Sequence, residues 1–116
     1  MAGAYTLTIE QGATLSLVAT WKDSSGNAIN LTGYTARLSV RTHHSSATVL
    51  LSLTTANGGI ALGGAAGTIS ITASATTTAA LTAPVRGVYD LELVSSGGVV
   101  TRLLEGGAVI TPEVTR

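Results

Sequence analysis

Gly87-Val88-Tyr89-Asp90-Leu91-Glu92-Leu93-Val94, then Ser95-Ser96-Gly97-Gly98, then Val99-Val100-Thr101-Arg102-Leu103-Leu104-Glu105-Gly106-Gly107 is the stretch that decides the fold. Two runs rich in β-branched and aliphatic residues flank a Ser/Gly tetrad, the sequence form of a β-hairpin. Tyr89, Leu91 and Leu93 alternate with Asp90 and Glu92, so one face is apolar and the other carries carboxylates. A three-residue loop, Ser96-Gly97-Gly98, predicts Leu91 opposite Leu103 and Glu92 opposite Arg102. That register makes an apolar pair inside and an opposite-charge pair outside.

The same period of two recurs on either side. Tyr5, Leu7 and Ile9 share one face; Gln11-Gly12 breaks the run, and Leu15, Leu17, Ala19 and Trp21 resume it. Lys22 to Asn27 is a turn, because aspartate and asparagine bond nearby backbone and glycine accepts a left-handed conformation. Thr35 to Thr42 places Ala36, Leu38 and Val40 inward and Arg37, Ser39 and Arg41 outward. His43-His44-Ser45-Ser46 reads as a polar loop. Thr48 to Leu53 is apolar on both faces over part of its length, Ile60 to Leu62 and Thr68 to Thr72 are short strands, and Ala108 to Thr111 is a last one. Ser74 to Leu81 is the one candidate helix, capped by Ser74 and held to a turn or two by its threonines. About seven or eight short antiparallel strands at regular turn spacing, with at most one short helix near 74–81, predict an all-β, immunoglobulin-like β-sandwich. Residues 1–116 are expected to form a single domain.

Six basic and six acidic side chains balance to zero, against 45% hydrophobic residues. A neutral chain has no field to attract nucleic acid or an anionic membrane, so neither is an expected partner. No stretch has the length of an apolar membrane span, and the start lacks the basic and apolar regions of a signal peptide, which predicts synthesis in the cytoplasm. With no cysteine there is no disulfide framework.

Five places carry residue types that invite chemistry. His43-His44 has no third ligand nearby, so no metal is expected. Asp23-Ser-Ser-Gly-Asn27 lacks the later glutamate of a calcium loop. Gly63 to Thr68 has no lysine and precedes a strand, so it is a turn and not a phosphate cradle. Asp90 and Glu92 share a strand face about 7 Å apart, but a solvated sheet face with Glu92 neutralised by Arg102 accounts for them. Trp21 and Tyr34 leave a carbohydrate-binding module as one alternative. No catalytic residue, metal or cofactor is expected, and the chain is read as a non-enzyme.

Ile9-Glu10-Gln11-Gly12-Ala13-Thr14, Thr20-Trp21-Lys22-Asp23-Ser24-Ser25-Gly26-Asn27-Ala28-Ile29-Asn30-Leu31-Thr32-Gly33-Tyr34 and Gly87-Val88-Tyr89-Asp90-Leu91-Glu92-Leu93 carry a resemblance over most of the chain. Their order resembles small structural proteins of tailed bacteriophages, notably the immunoglobulin-like N-terminal domain of baseplate upper proteins. The resemblance implies a virion protein of the tail, baseplate or fibre-attachment region that docks on other virion proteins and on copies of itself. Because Arg116 ends the sequence where that family continues into a fibre segment, a free-standing subunit is expected. A capsid decoration protein is the second alternative.

One sandwich has one interior, so strands apolar on both faces should bury one of them against a partner. Val49, Leu51, Val100 and Leu104, with the tail Val114, Thr115 and Arg116, are the expected interface residues.

Overall fold

Alternation becomes strand in chain order: β1 Gly3–Ala4, β2 Leu7–Glu10, β3 Leu15–Thr20, β4 Thr35–Arg41, β5 Leu51–Thr54, β6 Ile60–Leu62, β7 Thr68–Ala73, β8 Val85–Val94 and β9 Val100–Thr111. The computed structural model describes residues 3–47, 49–81 and 85–112. Between β7 and β8 lies the one α-helix among the described residues, α1, Ala75–Ala79. It is kept short by its threonines and started by Ser74, whose Oγ accepts the Thr77 N–H at 3.2 Å.

One sheet runs β1-β9-β8-β4-β5, with β2 also on β9; the other runs β3-β7-β6. Their inner faces meet over Leu7, Ile9, Leu38, Ile69, Ile71, Leu91, Leu93 and Ile110, each almost or wholly out of solvent. This two-layer arrangement, with the early strands split between the sheets and the last hairpin central, is an immunoglobulin-like β-sandwich. The inward sets Ala36, Leu38, Val40 and Tyr89, Leu91, Leu93 are buried as expected.

The strands are not all antiparallel, however. β1 and β2 pair parallel to β9, with Gly3 opposite Leu104 and Ile9 opposite Ile110. A parallel partner more than a hundred residues away in sequence leaves no local mark, whereas a hairpin does. Tyr5 lies in the break between β1 and β2, so it is 47% exposed and does not continue the buried row of Leu7 and Ile9. Gln11–Thr14 then carries the chain across to the second sheet.

The organising hairpin closes as predicted: Gly98 N–H donates to Ser95 O and Ser95 N–H to Val99 O, both at 2.9 Å. Gly98 supplies the positive φ of 88°. Its register differs in one place. Glu92 faces Arg102, but Leu91 faces Leu104, because a bulge between Leu91 and Glu92 leaves Leu103 as the extra residue. Leu103 and Leu104 therefore both pack against the core, with Arg102 and Glu105 turned outward on either side. β9 also continues through Gly106-Gly107 without interruption, so 108–111 is its end and not a separate strand.

Candidate docking surfaces

Strand parity turns the charge of the molecule to one side. On the outer face of the larger sheet, Arg37 and Arg41 of β4, Arg86, Asp90 and Glu92 of β8, and Arg102 and Glu105 of β9 all occupy outward positions. Arg37 Nε donates to Glu92 Oε1 at 2.8 Å, the directly opposed pair of β4 and β8. Arg102 takes Asp90 at 3.4 Å and Glu105 at 3.4 Å. Glu92 is thus held by Arg37, and not by Arg102 as the hairpin alone suggested. The reason is that β4 lies on the other side of β8, a neighbour invisible to a two-strand reading.

A recess of about 120 Å³ opens on this face, lined by residues that include Ser39, Arg41, Asp90, Arg102 and Glu105. Partial burial, with Glu92 and Glu105 adding repulsion against the pull of Arg102 and Arg37, pushes the Asp90 carboxyl up from its ordinary range. Asp90 and Glu92 engage different arginines.

The outer face of the smaller sheet is its opposite. Ser16, Val18 and Thr20 of β3 stand beside Thr72, Ser70 and Thr68 of β7, and Ala61 of β6 lies beside Ser70. Among the described residues of β3, β7 and β6, no charged side chain stands on it. Val18, 61% exposed, is the largest apolar group there.

The expected interface residues separate on this framework. Val100 is 49% exposed and joins Val99, at 66%, beside the β8–β9 turn; Val49 is 37% exposed. Leu51 is the correction: it is 5% exposed, an inward residue of β5 opposite Val40. The strand begins at Leu51 and not at Thr48, so Val49 lies outside it and shares no strand face with Leu51, whose side is set by its place opposite inward Val40. Leu104 is also not an outward residue, since the bulge turns it to the core. Val114, Thr115 and Arg116 lie outside the described residues. Val18 and Tyr5 were missed: alternation marks Val18 as outward, but nothing local marks β3 as an edge strand.

The other expected sites resolve by their contacts. Asp23 Oδ1 accepts the N–H groups of Ser25 and Asn27, at 2.9 and 3.0 Å, as the turn reading requires. His43 Nδ1 lies 3.2 Å from Ser45 Oγ in an exposed loop. Trp21 and Tyr34 pack edge to face with ring centroids 5.9 Å apart, both half-buried on the core, so they do not form a coplanar platform.

No protein-family model matches the chain, and no curated protein matches it in sequence. Solved structures do resemble it. One is the extracellular domain of the voltage-gated sodium channel beta4 subunit, described as parallel homodimers that explain its role in cell–cell adhesion. It is 16% identical with a TM-score of 0.50, over 98% of this chain and 96% of that one. A second, from work on multimeric cell-adhesive interactions of VGSC beta subunits, is 15% identical with a TM-score of 0.49, over 95% and 92%. At these identities the likeness is one of fold.

Proposed function

We propose that this immunoglobulin-like sandwich is a bacteriophage virion structural protein, an assembly module of the tail, baseplate or fibre-attachment region that works by protein–protein docking. The observation that carries the docking part is the division of its surface. The ionic groups of the larger sheet are gathered on its outer face, where Arg37 pairs with Glu92 and Arg102 with Asp90 and Glu105, while the smaller sheet turns exposed Val18 outward among small neutral side chains, and Val49, Val99 and Val100 are exposed elsewhere. Depletion of charge with retained aliphatic area is the composition of interface cores. The virion setting is supported by the order of turns and strands from Ile9 to Tyr34 and from Gly87 to Leu93. The beta4 domain supplies one instance of this architecture pairing with itself.

The test is made on phage particles from the source organism, purified and probed with antibody to this chain, alongside mass spectrometry of separated tails and heads. Stoichiometric recovery in tails is expected. Labelling of the head shell selects the capsid decoration role in its place, and absence from particles overturns both. A glycan array on which binding is lost with Trp21→Ala moves the assignment to a carbohydrate-binding module.

A further inference from the structure

β3 has a second side on which no strand pairs among the described residues. Trp21 N–H donates to Gly67 O at 2.9 Å, and the same register continues through Ala19 opposite Ile69, Leu17 opposite Ile71 and Leu15 opposite Ala73. Hydrogen-bonded pairs alternate along an antiparallel ladder. The odd positions therefore spend their backbone groups on β7, and Ser16, Val18 and Thr20 turn both N–H and C=O to the open side. No hydrogen bond reaches those groups among the described residues. Natural edges are usually guarded by a lysine, a proline, a bulge or a covering loop. Leu15-Ser16-Leu17-Val18-Ala19-Thr20 contains no lysine or proline and pairs with β7 without a bulge.

We propose that two copies of the chain pair antiparallel through β3 about a two-fold axis at Val18, joining two three-stranded sheets into one of six strands. This deepens the docking reading and rests on it. A second copy is the occupant the edge fits, for three reasons. Centring on Val18 sets Val18 against the partner's Val18, Ser16 against the partner's Thr20 and Leu17 against the partner's Ala19, which uses all three free residues and keeps each pair on one face of the sheet. Residues 15–20 bring no charge to the seam from either copy, so nothing along the paired strands opposes self-pairing. Leu15 and Leu17 face the core but are only half-buried, unlike Ile69 and Ile71 one strand inward at 0%; a neighbouring strand completes their cover.

A stable pair needs roughly 1,200–2,000 Å² in total, more than one strand edge contributes. The margin beside it supplies the remainder. β2 is joined to β3 only by Gln11–Thr14, so the β1–β2 edge, with exposed Tyr5, lies on the same side of the sandwich.

Light scattering after size exclusion, at high micromolar concentration, is expected to give a dimer for the wild-type protein. Val18→Lys, which opposes like charges at the axis, should weaken it about ten-fold or more. Val18→Pro removes an N–H that β7 does not use, so circular dichroism should report a retained fold while the dimer is lost. With no native cysteine, Val18→Cys should form a disulfide-linked dimer on mild oxidation and Val99→Cys should not. A wild-type protein that is monomeric throughout, a dimer indifferent to Val18→Lys and Val18→Pro, or equal cross-linking at both cysteine positions overturns β3 pairing. Recovery in particles despite any of those results leaves the docking reading standing; a Val18-dependent dimer absent from particles sinks the virion role alone.

Discussion

The hydroxyl of Tyr89 donates a 2.8 Å hydrogen bond to the backbone carbonyl of Tyr5. It ties the centre of β8 to the break between β1 and β2, across β9. Burial pushes the Tyr89 phenol up to about 12 from 10.0, with Tyr5 adding to the rise. A group whose folded value is raised adds stability that is present below its unfolded value and is lost as pH climbs through the folded one. The protein should therefore lose stability between about pH 10 and pH 12. Tyr89→Phe should cost about 1 kcal/mol at neutral pH and flatten that alkaline loss, as chemical denaturation at the two pH values will read.

Gly106 makes the Tyr5 contact possible. It faces Tyr89 across the β8–β9 ladder with φ of 156°, and a Cβ there would stand 2.4 Å from the Tyr5 carbonyl oxygen. That obstacle is backbone, which a side-chain shift cannot relieve. Gly106→Ala should destabilise by roughly 2–3 kcal/mol, measured by urea unfolding. Gly98→Ala is a useful contrast, since its positive φ is strained but a Cβ there meets nothing within 4 Å.

Thr78 is the one buried polar residue among the described residues, at 0% exposure. Its Oγ1 donates to Ala13 O at 2.7 Å and accepts Gly12 N–H at 3.1 Å, fastening α1 to the β2–β3 crossover. Thr78→Val keeps the shape and strands both backbone groups, at a cost of about 1–3 kcal/mol. Faster hydrogen exchange at Gly12 should accompany the lower melting temperature.

Asp90 titrates with the opposite consequence for design. Its carboxyl is pushed up chiefly by burial, so its ionised form burdens the folded state at neutral pH, and the burden lifts as pH falls through the raised value. Asp90→Asn should be at least as stable as wild type at neutral pH, with the advantage shrinking towards acid. Thermal midpoints across that range decide it; a variant markedly less stable at neutral pH would show that the Arg102 contact outweighs burial.

The hairpin, the turns at Asp23 and Gly97-Gly98, the Ser74 cap and the inward rows on β4 and β8 were all readable from residues close in sequence, because turn chemistry and period-two burial act locally. Leu51 and Leu104 were misassigned for a related reason. One extra residue in a strand, as at Leu103, reverses every face counted past it, and at Leu51 the side is fixed by pairing with Val40 on a neighbouring strand. Glu92 found Arg37 and not Arg102 because a sheet interior strand has two neighbours, and a hairpin shows only one.

Alternation, glycine placement and the balance of charge thus determined by themselves that this chain makes a two-layer β-sandwich with a thin aliphatic core. Which strands became edges, that β1 and β2 lie parallel on β9, that the ionic groups share one face and that Val18 borders an open ladder were decided only on folding. Those properties depend on pairing between segments far apart in the chain, whose energy comes from shared burial and leaves no trace in either segment alone.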